Sequence, residues 1–554
     1  VSSLLLAALA PIASAQTVPA GGNIQEAAAV QVTPAGLDAL GGLLPAVVPP
    51  ETEVDGIDEG FTCLNVQIEG LKIGLAIANV EFVPEPGRLL VDVDLLVNVN
   101  DAADPFTVSG EVVCLDMNCP TYVRPFPVSA QIPFELGVAV DPNTQDRYFD
   151  ATLGEMVVDL GLDNTHIELS GSCNTIDDLD DLLGAVNLSF FDFIINTAEP
   201  FVLDILAQQA STIEETLDDA LRDVRFEDSF EVGDVTLDVL VEPWSAIITP
   251  AGIDLALQGR FDAPVHECVA EHDPGGSLLT DSNVPSISAN PSGTEIIIHA
   301  SDELANQGLY AIWRSGLFCY EISEDSELDI GIPINSSLLG VLGGEGFDAL
   351  IPETKPLAIE TDPRAAPTVD YAADHDLVVL VRELGVDFYS EVDFRQTRAL
   401  GLTIESDVGV DLLFDGQTGE LAADVALSGD NIFAFATHNE LVPESSEQIQ
   451  ESFTGLVDVL LDSLVGDLLD DIRFSVPSFE GQGLQTLSAR ASGGGDWLGL
   501  SATAGPVPYG SSGGGCDGGC SGSAGSSCDQ SGAPVAPFAG LIALIALRRR
   551  NRAS

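Results

Sequence analysis

Asp223-Val224-Arg225-Phe226 recurs downstream as Asp471-Ile472-Arg473-Phe474. The copies lie roughly 250 residues apart, about half the body, so the chain reads as an internal duplication. Ahead of the first copy, Val202, Ile205, Leu206, Ile213, Leu217, Leu221 and Val224 fall at helical spacing. Ahead of the second, Ile449, Phe453, Leu456, Leu460, Leu464, Leu468 and Ile472 do the same. At the common offset Ile213, Leu217, Leu221 and Val224 align with Leu461, Val465, Leu469 and Ile472. Ser445 and Ser446 offer an N-cap for the second helix. After each copy the pattern turns to strands, over residues 235–239 and 253–261 in the first and 484–489 and 497–502 in the second.

The remainder of the body is mostly β. Val91, Val93, Leu95, Val97 and Val99 alternate with Asp92, Asp94, Leu96, Asn98 and Asn100, a period of two with one apolar face. Residues 411–414 and 420–427 flank Asp415-Gly416-Gln417-Thr418-Gly419 and read as a hairpin. Each half therefore combines long antiparallel strands with one long amphipathic helix. A sheet with one apolar face buries it by wrapping that helix. The expected class is α+β, two tandem tubular modules over residues 61–264 and 296–504. A turn-rich linker joins them over 265–295, and a loose Ala/Pro/Gly-rich arm precedes them over 16–60, with a short piece at 37–48 docking as a helix.

Both ends read as address labels. Leu4-Leu5-Leu6-Ala7-Ala8-Leu9-Ala10, then Pro11 and Ala13-Ser14-Ala15, form an apolar run and a small-x-small site, the pattern of a signal peptide over 1–15 without its basic start. At the other end a Gly/Ser-rich spacer over 505–532 carries Cys516, Cys520 and Cys528. An apolar run over 533–547 and Arg548-Arg549-Arg550 with Arg552 complete the 533–554 segment. Such a run is short for a span of about twenty residues, and the arginines favour the cytoplasmic side. The order of cysteine-bearing spacer, short apolar helix and arginine cluster resembles the MYXO-CTERM class of bacterial sorting signals. The resemblance implies a membrane-embedded sorting protease, removal of the tail, and attachment at the outer surface through one of the three cysteines.

Six cysteines lie in the body: Cys63, Cys114, Cys119, Cys173, Cys268 and Cys319. An even count in an exported chain points to disulfides, with connectivity open. Cys114 with Cys119, and Cys268 with Cys319, are the pairs closest to hand. The cluster His266-Glu267-Cys268 to His272 lacks the i, i+4 histidines of a helical zinc site, so no metal or other cofactor is expected. The acidic run Asp177-Asp178-Leu179-Asp180-Asp181 lacks the glycine and closing Glu of a calcium loop and reads as a solvated face. The glycines over 340–346 lack the Lys-Ser/Thr of a phosphate loop, and no Gly-x-Ser-x-Gly elbow occurs, so an enzyme is not expected.

The chain holds 88 Asp plus Glu against 19 Lys plus Arg, a formal charge of −69, which disfavours nucleic acid and anionic membranes as partners of the body. Hydrophobic residues at 45% nonetheless allow large cores.

The stretch Ser301-Asp302-Glu303-Leu304-Ala305-Asn306-Gln307-Gly308-Leu309-Tyr310-Ala311-Ile312-Trp313-Arg314-Ser315-Gly316-Leu317 resembles the opening helix of the second domain in the bactericidal/permeability-increasing protein family. Arg473-Phe474-Ser475-Val476-Pro477-Ser478-Phe479-Glu480-Gly481 resembles that family's closing Pro-containing strand. The resemblance spans about residues 61–504. It implies a boomerang of two tubular lipid-binding modules. The acidic surface departs from the basic lipopolysaccharide-binding tip of animal members.

The resemblance also implies lipids as partners. A sixteen-carbon chain crossing water exposes methylenes at about 0.8 kcal/mol each, roughly 12 kcal/mol in all. A helix of about 25 residues gives a tube of about 37 Å at 1.5 Å per residue. The groove candidates are Val91, Val93, Val202, Ile205, Leu206, Leu217, Leu221, Phe453, Leu460 and Leu464. The competing expectation is a structural or adhesive surface protein whose interior is filled by its own side chains.

Overall fold

The computed structural model describes residues 17–41, most of 52–169, scattered positions over 203–224, most of 225–453, and residues 473–475 and 482–507. Its strands form three large antiparallel sheets and one two-stranded ribbon.

The middle sheet has seven strands in the order Phe226–Val232, Val235–Thr249, Gly252–Asp262, Ile24–Val32, Ile296–Ser301, Trp497–Pro506 and Gln482–Ser492. Its two outer hairpins are Val235–Thr249 with Gly252–Asp262 and Gln482–Ser492 with Trp497–Pro506. Each follows one copy of the recurring tetrapeptide, and they flank the seam from opposite sides. The seam is Ile24–Val32, which pairs with Gly252–Asp262 on one edge and Ile296–Ser301 on the other.

The expected loose arm over 16–60 is thus corrected: its first half supplies the strand that joins the two halves. Ala27, Ala29 and Gln31 in this strand are wholly buried. Alanines stand there because the helix Asp302–Arg314 crosses close by. A Cβ on Gly259 would meet Leu304 Cδ1 at 2.9 Å and Ala27 Cβ at 3.3 Å, so small side chains are required on both neighbouring strands. Helix Pro34–Gly41 follows directly, N-terminal to much of the 37–48 piece expected to dock.

The first-half sheet has ten strands, organised on the 26-residue strand Leu115–Val140. Arg88–Val99 pairs with it, and Val91, Val93, Leu95 and Val97 lie opposite Ile132, Ala130, Val128 and Phe126. All eight are buried, which realises the period-two reading. The polar face carries Asp94, whose carboxylate accepts a hydrogen bond from Ser129 Oγ at 2.9 Å.

The second-half sheet has eight strands and is dominated by the pair Leu377–Val392 and Arg395–Asp415. The hairpin expected around residue 415 forms with Asp415 opposite Glu420. The Asp415 carboxylate accepts from Gln417 N at 2.8 Å, and Gly419 takes φ 70° to close the turn. Arg473–Ser475, from the second tetrapeptide copy, pairs with residues 420–422 of this sheet, whereas Phe226 of the first copy opens the middle sheet.

Every described position between 203 and 221 is helical, and Leu206, Ala210 and Leu221 are buried in the first-half core. Residues 446–453 are helical too, with Ile449 and Phe453 in the second-half core. Ser445 caps this second helix: its Oγ accepts from Gln448 N at 3.4 Å while Gln448 Oε1 accepts from Ser445 N at 3.0 Å, a reciprocal capping box. The remaining positions of both expected helices lie outside the described residues. Among the described residues no helix is long and apolar enough to cross a membrane.

Candidate functional site

The residues that hold the halves together are polar and buried. Strand Ile296–Ser301 runs into helix Asp302–Arg314, where Ser301 Oγ accepts from Leu304 N at 3.2 Å and caps the first turn. Gln307, wholly buried, accepts from Phe261 N and donates to Gly22 O, both at 2.8 Å. Asn306 Oδ1 accepts from Val369 N at 2.8 Å, and Trp313 Nε1 donates to Pro363 O at 2.8 Å. One helix therefore ties the N-terminal segment and the strand Gly252–Asp262 to two segments of the second half. These are the opening-helix residues on which the family resemblance rested.

Two titratable groups sit in this junction. Burial pushes His299 down to about 4, so the ring is neutral near pH 7. Its Nε2 lies 3.2 Å from Gln31 Oε1. Gln31 Nε2 already donates to Asp254 Oδ2 and Pro285 O, so the contact requires the Nε2–H tautomer. Burial pushes Asp302 up to about 6, against the hydrogen bond from Thr280, with Glu303 and Asp496 adding repulsion.

The apolar interior is the candidate lipid surface. Of its ten candidates, Val91, Val93, Leu206 and Leu221 are brought into one cluster of buried side chains that extends through the middle sheet to Leu304 and Ile312. Phe453 lies in the separate second-half cluster with Leu339, Phe347 and Leu400. Val202, Ile205, Leu217, Leu460 and Leu464 lie outside the described residues.

Among the cysteines, Cys268 and Cys319 meet with Cα atoms 6.5 Å apart, within the span of a disulfide. His266 Nδ1 accepts from Cys268 N at 3.2 Å and lies with both sulfurs inside 4.8 Å, three ligands where a structural zinc takes four. Cys119 falls on strand Leu115–Val140 opposite Val108. Cys63, Cys114 and Cys173 lie outside the described residues, as do the signal-peptide candidate and Cys516, Cys520 and Cys528 of the C-terminal segment.

The residues that sequence reading missed lie beside the linker. A partly open cavity of about 340 Å³ is formed by Thr17, the segment around 272–278, Asn306 and Tyr310 of the helix, and residues 364–368. The linker is no free spacer, because Gly276–Leu278 pairs with Thr17–Pro19 as the two-stranded ribbon. Asp273 accepts from the Tyr310 hydroxyl and from Arg314 Nε. Burial opposes ionisation of Asp273, but these donors and Gly275 N–H outweigh it and hold the carboxyl below its ordinary range. Only the density of turn residues marked this segment in the sequence, and that pattern does not distinguish a docked linker from a loose one.

No family model matches the chain, and no curated protein matches it. Among solved structures it is similar to lipopolysaccharide binding protein, at 14% identity and a TM-score of 0.51, with 87% of this chain and 99% of that chain covered. P47 of Clostridium botulinum E1 and P47 of Clostridium botulinum A2 also match, at 9% identity each and TM-scores of 0.27 and 0.22. The likeness to lipopolysaccharide binding protein establishes the fold, a set of curled antiparallel sheets with few helices.

Proposed function

We propose that this chain binds lipid, holding acyl chains between its curled sheets and the helices that cross their apolar faces. The observation that carries the reading is the buried apolar face of strand Arg88–Val99 and its partner Leu115–Val140, with Leu206 and Leu221 in the same buried cluster, in a fold shared with a lipopolysaccharide-binding protein. We read it as two tandem tubular modules, a lipid-binding or lipid-transfer protein without enzymatic chemistry. The acidic surface argues against engaging lipopolysaccharide by charge. We further propose export through the N-terminal signal, tail removal by a sorting protease, and attachment at a bacterial outer surface through a cysteine of the spacer. A Cys268–Cys319 disulfide suits that setting.

A second reading has its own support. Val91, Val97, Phe149 and Ala210 are wholly buried, as in an interior filled by the protein itself, which fits a structural or adhesive surface protein. Mass spectrometry of organic extracts from the purified body separates the two. Stoichiometric acyl lipid supports the first reading. A body that stays lipid-free and excludes fluorescent fatty acids sinks it.

A further inference from the structure

The cavity beside the linker departs from the rest of this protein in its charge. Acidic residues fill 88 of 554 positions, yet none of the thirteen residues lining the cavity is acidic, and two of them are Arg364 and His272. Cationic groups are scarce in this chain, so a guanidinium on a small wall lined by no carboxylate stands out in a strongly negative field. Asp362 stands behind Arg364 and His272, outside the lining, and fixes both: its Oδ2 accepts from Arg364 Nε at 2.7 Å, and its Oδ1 lies 3.3 Å from His272 Nε2. Arg364 thereby commits one of its five N–H donors and keeps the others.

Two further groups add hydrogen-bonding capacity. Asn306, nearly wholly buried, uses its Oδ1 on Val369 N and keeps its amide NH₂ donors. Ser277 is 3% exposed, and its Oγ has no hydrogen-bond partner among the described residues. A buried hydroxyl in that state costs about 1–3 kcal/mol, and a hydrogen bond to a ligand acceptor would remove the cost. The other walls, including Leu278, Ala366, Pro367 and the Tyr310 ring, are largely apolar. A volume of about 340 Å³ falls at the small end of ligand pockets.

We infer that this cavity binds a small organic carboxylate, its anionic end on the remaining N–H donors of Arg364 and its apolar body against Leu278, Ala366 and Pro367. The site stands apart from the acyl-chain interior, so it does not depend on the lipid reading. The test titrates the intact chain with sodium benzoate, and with benzamide as an uncharged mimic of the same shape, by isothermal calorimetry. One saturable benzoate site is expected, with benzamide at least about tenfold weaker. Arg364→Gln should weaken benzoate by about tenfold or more and leave benzamide unchanged. Ala366→Trp, which fills the cavity, should abolish both. Thermal melts confirm that each variant folds; if Ala366→Trp does not, Arg364→Gln decides alone through the ratio of the two affinities. Absence of saturable benzoate binding, equal binding of benzamide, or full benzoate affinity in Arg364→Gln overturns the assignment. Acyl-lipid content measured on the same preparations reports on the lipid reading separately.

Discussion

Gln307 is the sharpest place to perturb the junction. Replacing it by Leu keeps the side chain's approximate size but removes an acceptor for Phe261 N and a donor for Gly22 O. The Phe261 amide is buried and has no water to replace its partner, so its loss is worth about 1–3 kcal/mol. Gly22 is only half-buried, and water recovers part of that bond, leaving about 0.5–1 kcal/mol. The expected total is about 1.5–4 kcal/mol, concentrated where strand Gly252–Asp262 meets the helix. Hydrogen exchange read by mass spectrometry is the suitable assay, because a chain of this size need not unfold in one step. Peptides spanning residues 252–262 should exchange about tenfold faster or more in the variant, the factor that about 1.4 kcal/mol gives. Peptides from strand Leu115–Val140 should change far less. Gln307→Glu, which still accepts from Phe261 N but cannot donate to Gly22 O when ionised, should lie between the two. Unchanged exchange at residues 252–262 in Gln307→Leu would refute the assigned role.

Three further outcomes are expected. Ala130 is buried opposite Val93, so Ala130→Trp crowds this face and should destabilise by about 1–3 kcal/mol and lower bound acyl lipid; undiminished lipid would move the groove elsewhere. Because Asp302 has its folded pKa raised to about 6 from an ordinary value near 3.8, its contribution favours the fold at low pH and is lost as pH rises between about 4 and 6. Asp302→Asn should therefore raise the melting temperature relative to the parent above pH 6 and lose that advantage near pH 4; an advantage independent of pH would rule out titration as its cause. Intact-mass analysis of the protein purified from an oxidising compartment should show one Cys268–Cys319 crosslinked peptide pair, and recovery of both as alkylated free thiols would exclude it.

Much of this fold was legible in period and repeat. The alternation from Val91 to Val99 reports a one-sided sheet because valine and aspartate differ so strongly in transfer energy. Ser445 announced its helix through capping chemistry that acts within one turn. Ile24–Val32 was illegible for the opposite reason. Its buried positions are mostly alanine, chosen by the approach of Leu304 from nearly three hundred residues away, and alanine carries little strand signal of its own. The docking of the linker was illegible on the same grounds: turn residues show where the chain bends, not what it rests on. The cavity depends on segments around residues 17, 275, 306 and 366, and no local pattern brings them together.

The seam strand has a consequence for how the protein is made. Ile24–Val32 leaves the ribosome long before its neighbour Ile296–Ser301, which follows well over two hundred residues later. That neighbour in turn waits for Trp497–Pro506, near the far end of the described chain. The first-half sheet can close on local hairpins as it appears, but the middle sheet cannot be completed until residues 482–506 are out. Until then the sheet has one open edge, first on the alanine-rich strand and, once Ile296–Ser301 has paired with it, on that neighbour, and truncation anywhere before residue 497 leaves the sheet unfinished.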